Sequence, residues 1–236
     1  AAPGVFVDRA REAGLDYRWT IPWPRPFVIT QAMGHGCAFL DYNADGNLDV
    51  LLVGSPPALY RGDGKGHFAN VSAASGIARV GPRLLGCAVG DYDNDGFPDI
   101  YLSGYRGGAL LHNEGGLRFR DLSAASGVAP QPWSTSASFV DVDRDGLLDL
   151  FICNYVQFGP NTQPRNCDNG GGIMGVCGPT EYEPERPSVY RNLGGGRFAD
   201  ASARWRVSES AGKSLGVAAS QVAPGGPMAI AVANDT

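Results

Sequence analysis

Apolar residues in this chain come in short runs, each bounded by a glycine-rich turn. "GCAFL" at 36–40 is small and compact, and "LDVLLV" at 48–53 is nearly continuous. "ALYR" at 58–61 and "FANVS" at 68–72 are shorter and alternate more. A nearly continuous run fits a strand covered on both faces. None of these runs reaches the roughly 10–12 residues of 3.6 periodicity that mark a helix. The order then repeats. Asp41 opens "DYNADGNLDV", Asp91 opens "DYDNDGFPDI" and Asp141 opens "DVDRDGLLDL", so the period is 50 residues. A worn fourth copy, "GVAASQVAPGGPMAI" from Gly216 to Ile230, aligns with Gly36 to Val50. It starts late, which leaves room for an insertion at 155–187.

A second motif alternates with the first. Phe68, Phe119 and Phe198 are each followed two places on by Asn70, Asp121 or Asp200 and then by a serine. The pattern also stands near the N-terminus, at Phe6 and Asp8. Each unit thus reads as four short strands, and 34 glycines in 236 residues suit the many turns this requires. Four strands per unit of about 50 residues is the blade of a β-propeller. The fold predicted is all-β, a propeller of four-stranded blades spanning 1–236. A stacked solenoid fits less well, because the turns within a unit are of hairpin length. Small residues in the first strand of each unit (Gly36 to Ala38, Gly86 to Ala88, Ser136 to Ser138) match innermost strands crowded around an axis. The copies at both ends are incomplete, which points to about four repeats of a larger ring.

The loops at 41–49, 91–99 and 141–149 follow D-x-[DN]-x-D-G-x-x-D. Side-chain oxygens at positions 1, 3, 5 and 9 come from Asp41, Asn43, Asp45 and Asp49, from Asp91, Asp93, Asp95 and Asp99, and from Asp141, Asp143, Asp145 and Asp149. Asn47, Phe97 and Leu147 at position 7 offer backbone carbonyls, and glycine at position 6 permits the reversal. A shell of hard oxygens selects Ca²⁺, about three ions in all. An EF-hand would need a glutamate at position 12 and flanking helices; here Leu52, Leu102 and Ile152 stand there, between strands. In the worn loop 221–229, Gln221, Ala223, Gly225 and Ala229 remove the carboxylates, so no fourth ion is expected.

"DYDNDGFPDIYLSG" followed by "LLHNEGGLRFRDLSAASGV" resembles the FG-GAP (VCBS-type) repeat of integrin-α-type β-propellers. With "GHGCAFLDYNADGNLD", the cysteine-bearing insertion after "CNYV" and the segment "VANDT", the chain resembles the cartilage-acidic-protein-like family that carries an ASPIC/UnbV segment. That resemblance covers essentially the whole chain. It implies a secreted, calcium-bound propeller of about seven blades that acts in adhesion or ligand binding, without established chemistry. The worn fourth loop departs from the pattern, and the later blades and ASPIC/UnbV segment are not among these residues.

Charge sharpens the picture. Eleven of the 24 acidic residues stand in the three loops, and the rest of the chain is net basic without a basic block, so nucleic acid is not an expected partner. No apolar run approaches a transmembrane span. The opening "AAPG" fits a mature terminus after leader cleavage, and the chain is expected outside the cytoplasm: extracellular, periplasmic or on the cell surface. Cys37, Cys87 and Cys153 fall in strands and read as small buried residues. Cys167 and Cys177 bracket a glycine-rich stretch, either as a disulfide staple or as two free thiols. No nucleophile elbow or phosphate loop is present, and His35, His67 and His112 read as structural or surface residues, so no catalytic residue is assigned. The expected partner is an extracellular protein or glycan. Two features bear on it. Tyr155, Phe158, Tyr182, Arg165 and Arg186 make the insertion either a recognition loop or a structural cover. Trp19 and Trp23 leave open a carbohydrate-binding propeller or the propeller part of a polysaccharide-degrading enzyme.

Overall fold

The computed structural model describes residues 6–19, 29–31, 33–81, 83–159, 161–162 and 165–235. Trp23, Pro160 and Pro164 lie outside the described residues. Three successive units form antiparallel sheets. The first pairs β1 (Cys37–Leu40), β2 (Asp49–Leu52), β3 (Ala58–Gly62) and β4 (Phe68–Asn70) in chain order. In the second, β5 (Leu84–Gly90), β6 (Asp99–Gly107), β7 (Ala109–Asn113) and β8 (Phe119–Asp121) do the same. The third opens with β9 (Gln131–Val140) and β10 (Asp149–Asn154). A separate hairpin, β11 (Asn166–Asp168) and β12 (Met174–Val176), then interrupts it before β13 (Ser188–Asn192) and β14 (Phe198–Asp200) complete it. A half-unit follows, β15 (Ser214–Gln221) paired with β16 (Met228–Asn234). The end of β6 also pairs with the start of β9, through Tyr105–Trp133 and Gly107–Gln131.

Faces of the sheets pack unit against unit, as period-2 alternation requires. Leu51 and Leu59 of the first unit meet Ile100, Leu102 and Leu111 of the second. On its other face the second unit turns Tyr101 and Leu110 toward Leu150 and Ile152 of the third. Phe151 and Cys153 then meet Val217, Ile230 and Val232 of the half-unit. β6 and β10 are buried along the six residues that carry these contacts, which accounts for their nearly continuous apolar sequence. The first strands run side by side, and their small residues are needed there. Gly36 donates its N–H to the Leu85 carbonyl at 2.6 Å, and a Cβ at Gly86 would collide with the Thr135 carbonyl. Thr135 in turn donates its hydroxyl to the Ser214 carbonyl at 2.7 Å. This all-β array fits consecutive blades of a propeller.

The second sequence motif ties each unit together. Asn70, Asp121 and Asp200 each accept the N–H of the serine two residues on. That serine hydroxyl accepts a backbone N–H from the third strand: Ser72 from Leu59, Ser123 from Leu110 and Ser202 from Val189.

Three expectations are corrected. Cys37 is exposed, because Ala38 and Leu40 face the second unit and alternation turns Cys37 and Phe39 the other way, where Phe39 is 67% exposed. Phe6 is fully exposed and in no strand, because no sheet among the described residues receives it; its segment instead presents the Ala13 carbonyl to the Phe68 N–H at 2.7 Å. The insertion does not offer its aromatic residues for recognition; of its two readings, the structural cover is the one their burial fits. Tyr155, Phe158 and Tyr182 are buried around Trp133, with ring centroids 5.3–5.8 Å apart in edge-on pairs. Trp133 is fully buried, so these rings cover its indole rather than offer a binding face. Cys167 and Cys177 are disulfide-bonded across the β11–β12 hairpin. Arg165 stays largely exposed, with its guanidinium donating to the Glu181 carbonyl at 3.1 Å.

Candidate metal centre

Each acidic loop joins the first strand of its unit to the second. Its path needs left-handed backbone twice: Ala44, Asn94 and Arg144 have φ of 55°, 58° and 62°, and glycine follows two residues later in every copy. The side chains then hold that path in the same way each time. Asp41, Asp91 and Asp141 accept the N–H groups of positions 5 and 6 on their two oxygens, at 2.8–3.1 Å. Asp45, Asp95 and Asp145 accept the N–H of position 7, that is of Asn47, Phe97 and Leu147. Asp49, Asp99 and Asp149 have no exposed surface. Each accepts the N–H of position 2 and one from the end of the third strand, so it pins the loop to the sheet.

Negative charge converges here, and the backbone N–H groups offset only part of it. Asp91, Asp93 and Asp99 bring carboxylate oxygens within 4.8 Å of one another, and so do Asp141, Asp143 and Asp149. Burial pushes the Asp99 carboxyl up to about 8, against the lowering effect of the Asn113 and Tyr92 N–H groups. Burial raises Asp49, Asp93 and Asp149 as well. Asp45 goes the other way, held low first by the Asn43 amide. A carboxyl raised by burial among like charges is one that a bound cation would return to its ionised form.

The residues fit such a cation. At position 3, Asn43 Oδ1 and Asp93 Oδ1 are buried and have no hydrogen-bond partner in the protein. These are the oxygens the spacing assigns as ligands, and a buried acceptor without a partner is otherwise costly. In the third loop a guanidinium meets the carboxylates of positions 3 and 5: Arg191 donates to Asp143 at 2.6 Å and to Asp145 at 2.9 Å. Sequence reasoning missed that contact. It also placed His112 among structural residues, whereas its Nδ1 lies 3.3 Å from both Asp93 and Asp99. The signal was there in the repeat: Arg61, His112 and Arg191 occupy one position on the third strand, and in the second and third units that position faces the acidic loop.

The loops and the strands between them form FG-GAP-like repeats over residues 41–152. The FG-GAP-like repeat family matches residues 41–102 and 91–152. Among curated proteins the chain resembles cartilage acidic protein 1. It is 29% identical to the mouse (Mus musculus) protein over 163 residues, 63% of this chain and 23% of the relative. The Xenopus tropicalis protein is 29% identical over 110 residues, 45% of this chain and 17% of that protein. The human protein is 29% identical over 103 residues, 42% and 15% respectively. The matched region thus spans less than a quarter of the relatives' own length.

Proposed function

We propose that this chain is a calcium-binding part of a larger, about seven-bladed propeller that serves outside the cytoplasm as a non-catalytic adhesion or ligand-binding module. The observation that carries the reading is the threefold loop in which buried, unpartnered or charge-crowded oxygens converge. Hard oxygen donors and no thiolate favour Ca²⁺. The Cys167–Cys177 disulfide supports an oxidising compartment. No helix among the described residues is long and apolar enough to cross a membrane. A non-catalytic role is consistent with loop carboxylates that are taken up by backbone N–H groups and by the cation they would hold. The relatives carry the name of a cartilage protein, which agrees with an extracellular setting.

Calcium should therefore stabilise the fold by binding the native state alone, by about 2.7 kcal/mol per site at a hundredfold excess over Kd. Metal analysis and melting curves in calcium and in EDTA test this. In calcium alone, three ions per chain and a lowered melting temperature on chelation are the expected results. Identical melting curves for loaded and stripped protein would sink the reading. Trp19, 43% exposed and 4.7 Å from the His35 ring, keeps a carbohydrate ligand as the second reading. A glycan array decides between glycan and protein ligands.

A further inference from the structure

We propose that the second loop is a site for a first-row divalent transition cation, with His112 supplying a nitrogen ligand beside Asp93 and Asp99. This assignment rests on the reading of the loops as cation sites and narrows the cation at one of them. The repeats provide the comparison. One position on the third strand holds Arg61, His112 and Arg191 in the three units. A guanidinium has no lone pair to give a metal, whereas a neutral imidazole has one. So the residue that fills the third loop with a fixed positive charge, Arg191 on Asp143 and Asp145, is replaced in the second by a donor.

The geometry agrees. His112 Nδ1 is buried and makes no well-aligned hydrogen bond, although it lies 3.3 Å from Asp93 Oδ2 and 3.3 Å from Asp99 Oδ1. Asp93 Oδ1 is buried and unpartnered too, and Asp99 beneath them has no exposed surface. Two buried polar atoms without a hydrogen bond, His112 Nδ1 and Asp93 Oδ1, stand at this carboxylate cluster and call for a partner. Metal–ligand bonds of about 2.1 Å place neighbouring donors roughly 3.0–3.4 Å apart, which is the distance from His112 Nδ1 to each of the two carboxylates. Asp95 completes a cluster with Asp93 and His112, its ligand atoms within 4.8 Å. Imidazole suits zinc and its neighbours, whereas an all-oxygen shell suits calcium, so the mixed set favours Mn²⁺, Co²⁺ or Zn²⁺.

Co²⁺ is the probe, titrated into the full chain with and without calcium and followed by visible absorption and calorimetry. Wild type should bind one Co²⁺ with a nitrogen-ligand spectrum, and Zn²⁺ should displace it. His112→Ala and His112→Arg should each weaken Co²⁺ at least about tenfold, the lower bound even for losing an outer-shell partner. Calcium uptake by the first and third loops should stay as in wild type, which shows that the variants are folded. Equal Co²⁺ affinity in wild type and both variants overturns the assignment. So does a chain that takes up calcium but no Co²⁺. A chain that takes up neither overturns the cation reading of all three loops as well.

Discussion

At the residue scale the buried aspartates decide how the loops behave. Asp99→Ala leaves the Tyr92 and Asn113 N–H groups without their acceptor, at about 1–3 kcal/mol each. Urea unfolding in EDTA checks this apart from any metal effect. The same residue gives metal-free protein a pH dependence. Its folded carboxyl titrates near 8 and its unfolded one at the ordinary 3.8, so the native state keeps a proton the unfolded chain gives up. That contribution is fully present below about pH 4 and is lost as pH rises to about 8. In EDTA the urea midpoint should therefore fall between pH 5.5 and pH 8 through this group, and Asp99→Asn should flatten the slope. Arg191→Met should raise calcium affinity of the third loop, since Asp143 and Asp145 lose a competing cation; calorimetry showing no gain would contradict it. The loop aspartates were legible because ligand spacing is local in the chain. Arg191 and His112 were not, because they lie 46 and 13 or more residues from the groups they face, and only the strand pairing brings them there.

At the scale of elements, the units are held by contacts that repeat in register. Asn113 donates to the Tyr42 carbonyl of the preceding loop and to the Pro98 carbonyl of its own, at 2.8 and 3.0 Å. Asn192 does the same with Tyr92 and Leu148. Asn192→Ala strands two carbonyls at a buried joint and should cost about 1–3 kcal/mol. The corresponding residue in the first unit is Gly62, which makes no such side-chain clamp. Gly86→Ala should destabilise by about 1–3 kcal/mol, because the new methyl meets the Thr135 backbone and not a side chain that can turn aside. Thermal melting of both variants measures these effects. Strand order was legible from runs such as "LDVLLV", whose continuity marks two covered faces. The β11–β12 hairpin was hidden because Asn166–Asp168 and Met174–Val176 show no alternation of their own; the cross-linked cysteines and the turn at 170–172, glycine throughout, supply what the sequence pattern lacks.

For the whole molecule, the apolar layers between units leave one on each side with less cover. Phe39 at 67% exposure marks one, and Val222 at 79% and Leu215 at 39% mark the half-unit at the other. Apolar side chains exposed on the face of an outer sheet favour association. Phe39→Asp should reduce concentration-dependent association in sedimentation without lowering the melting temperature. Between these ends three joints place the preceding segment against the fourth strand of the next unit. The Phe68 N–H meets the Ala13 carbonyl, the Phe119 N–H meets the Ser75 carbonyl, and Gly127 lies against the Phe198 carbonyl. In such an array each unit is supported by its immediate neighbours, and stability is close to a sum of unit and joint terms. Damage stays local, and so does change. The copy at 221–229 has shed its carboxylates and is still held, through Val217 and Ile230, by the unit before it. Structural support is inherited from the neighbour, so an individual loop is free to lose or alter its cation chemistry while the array persists.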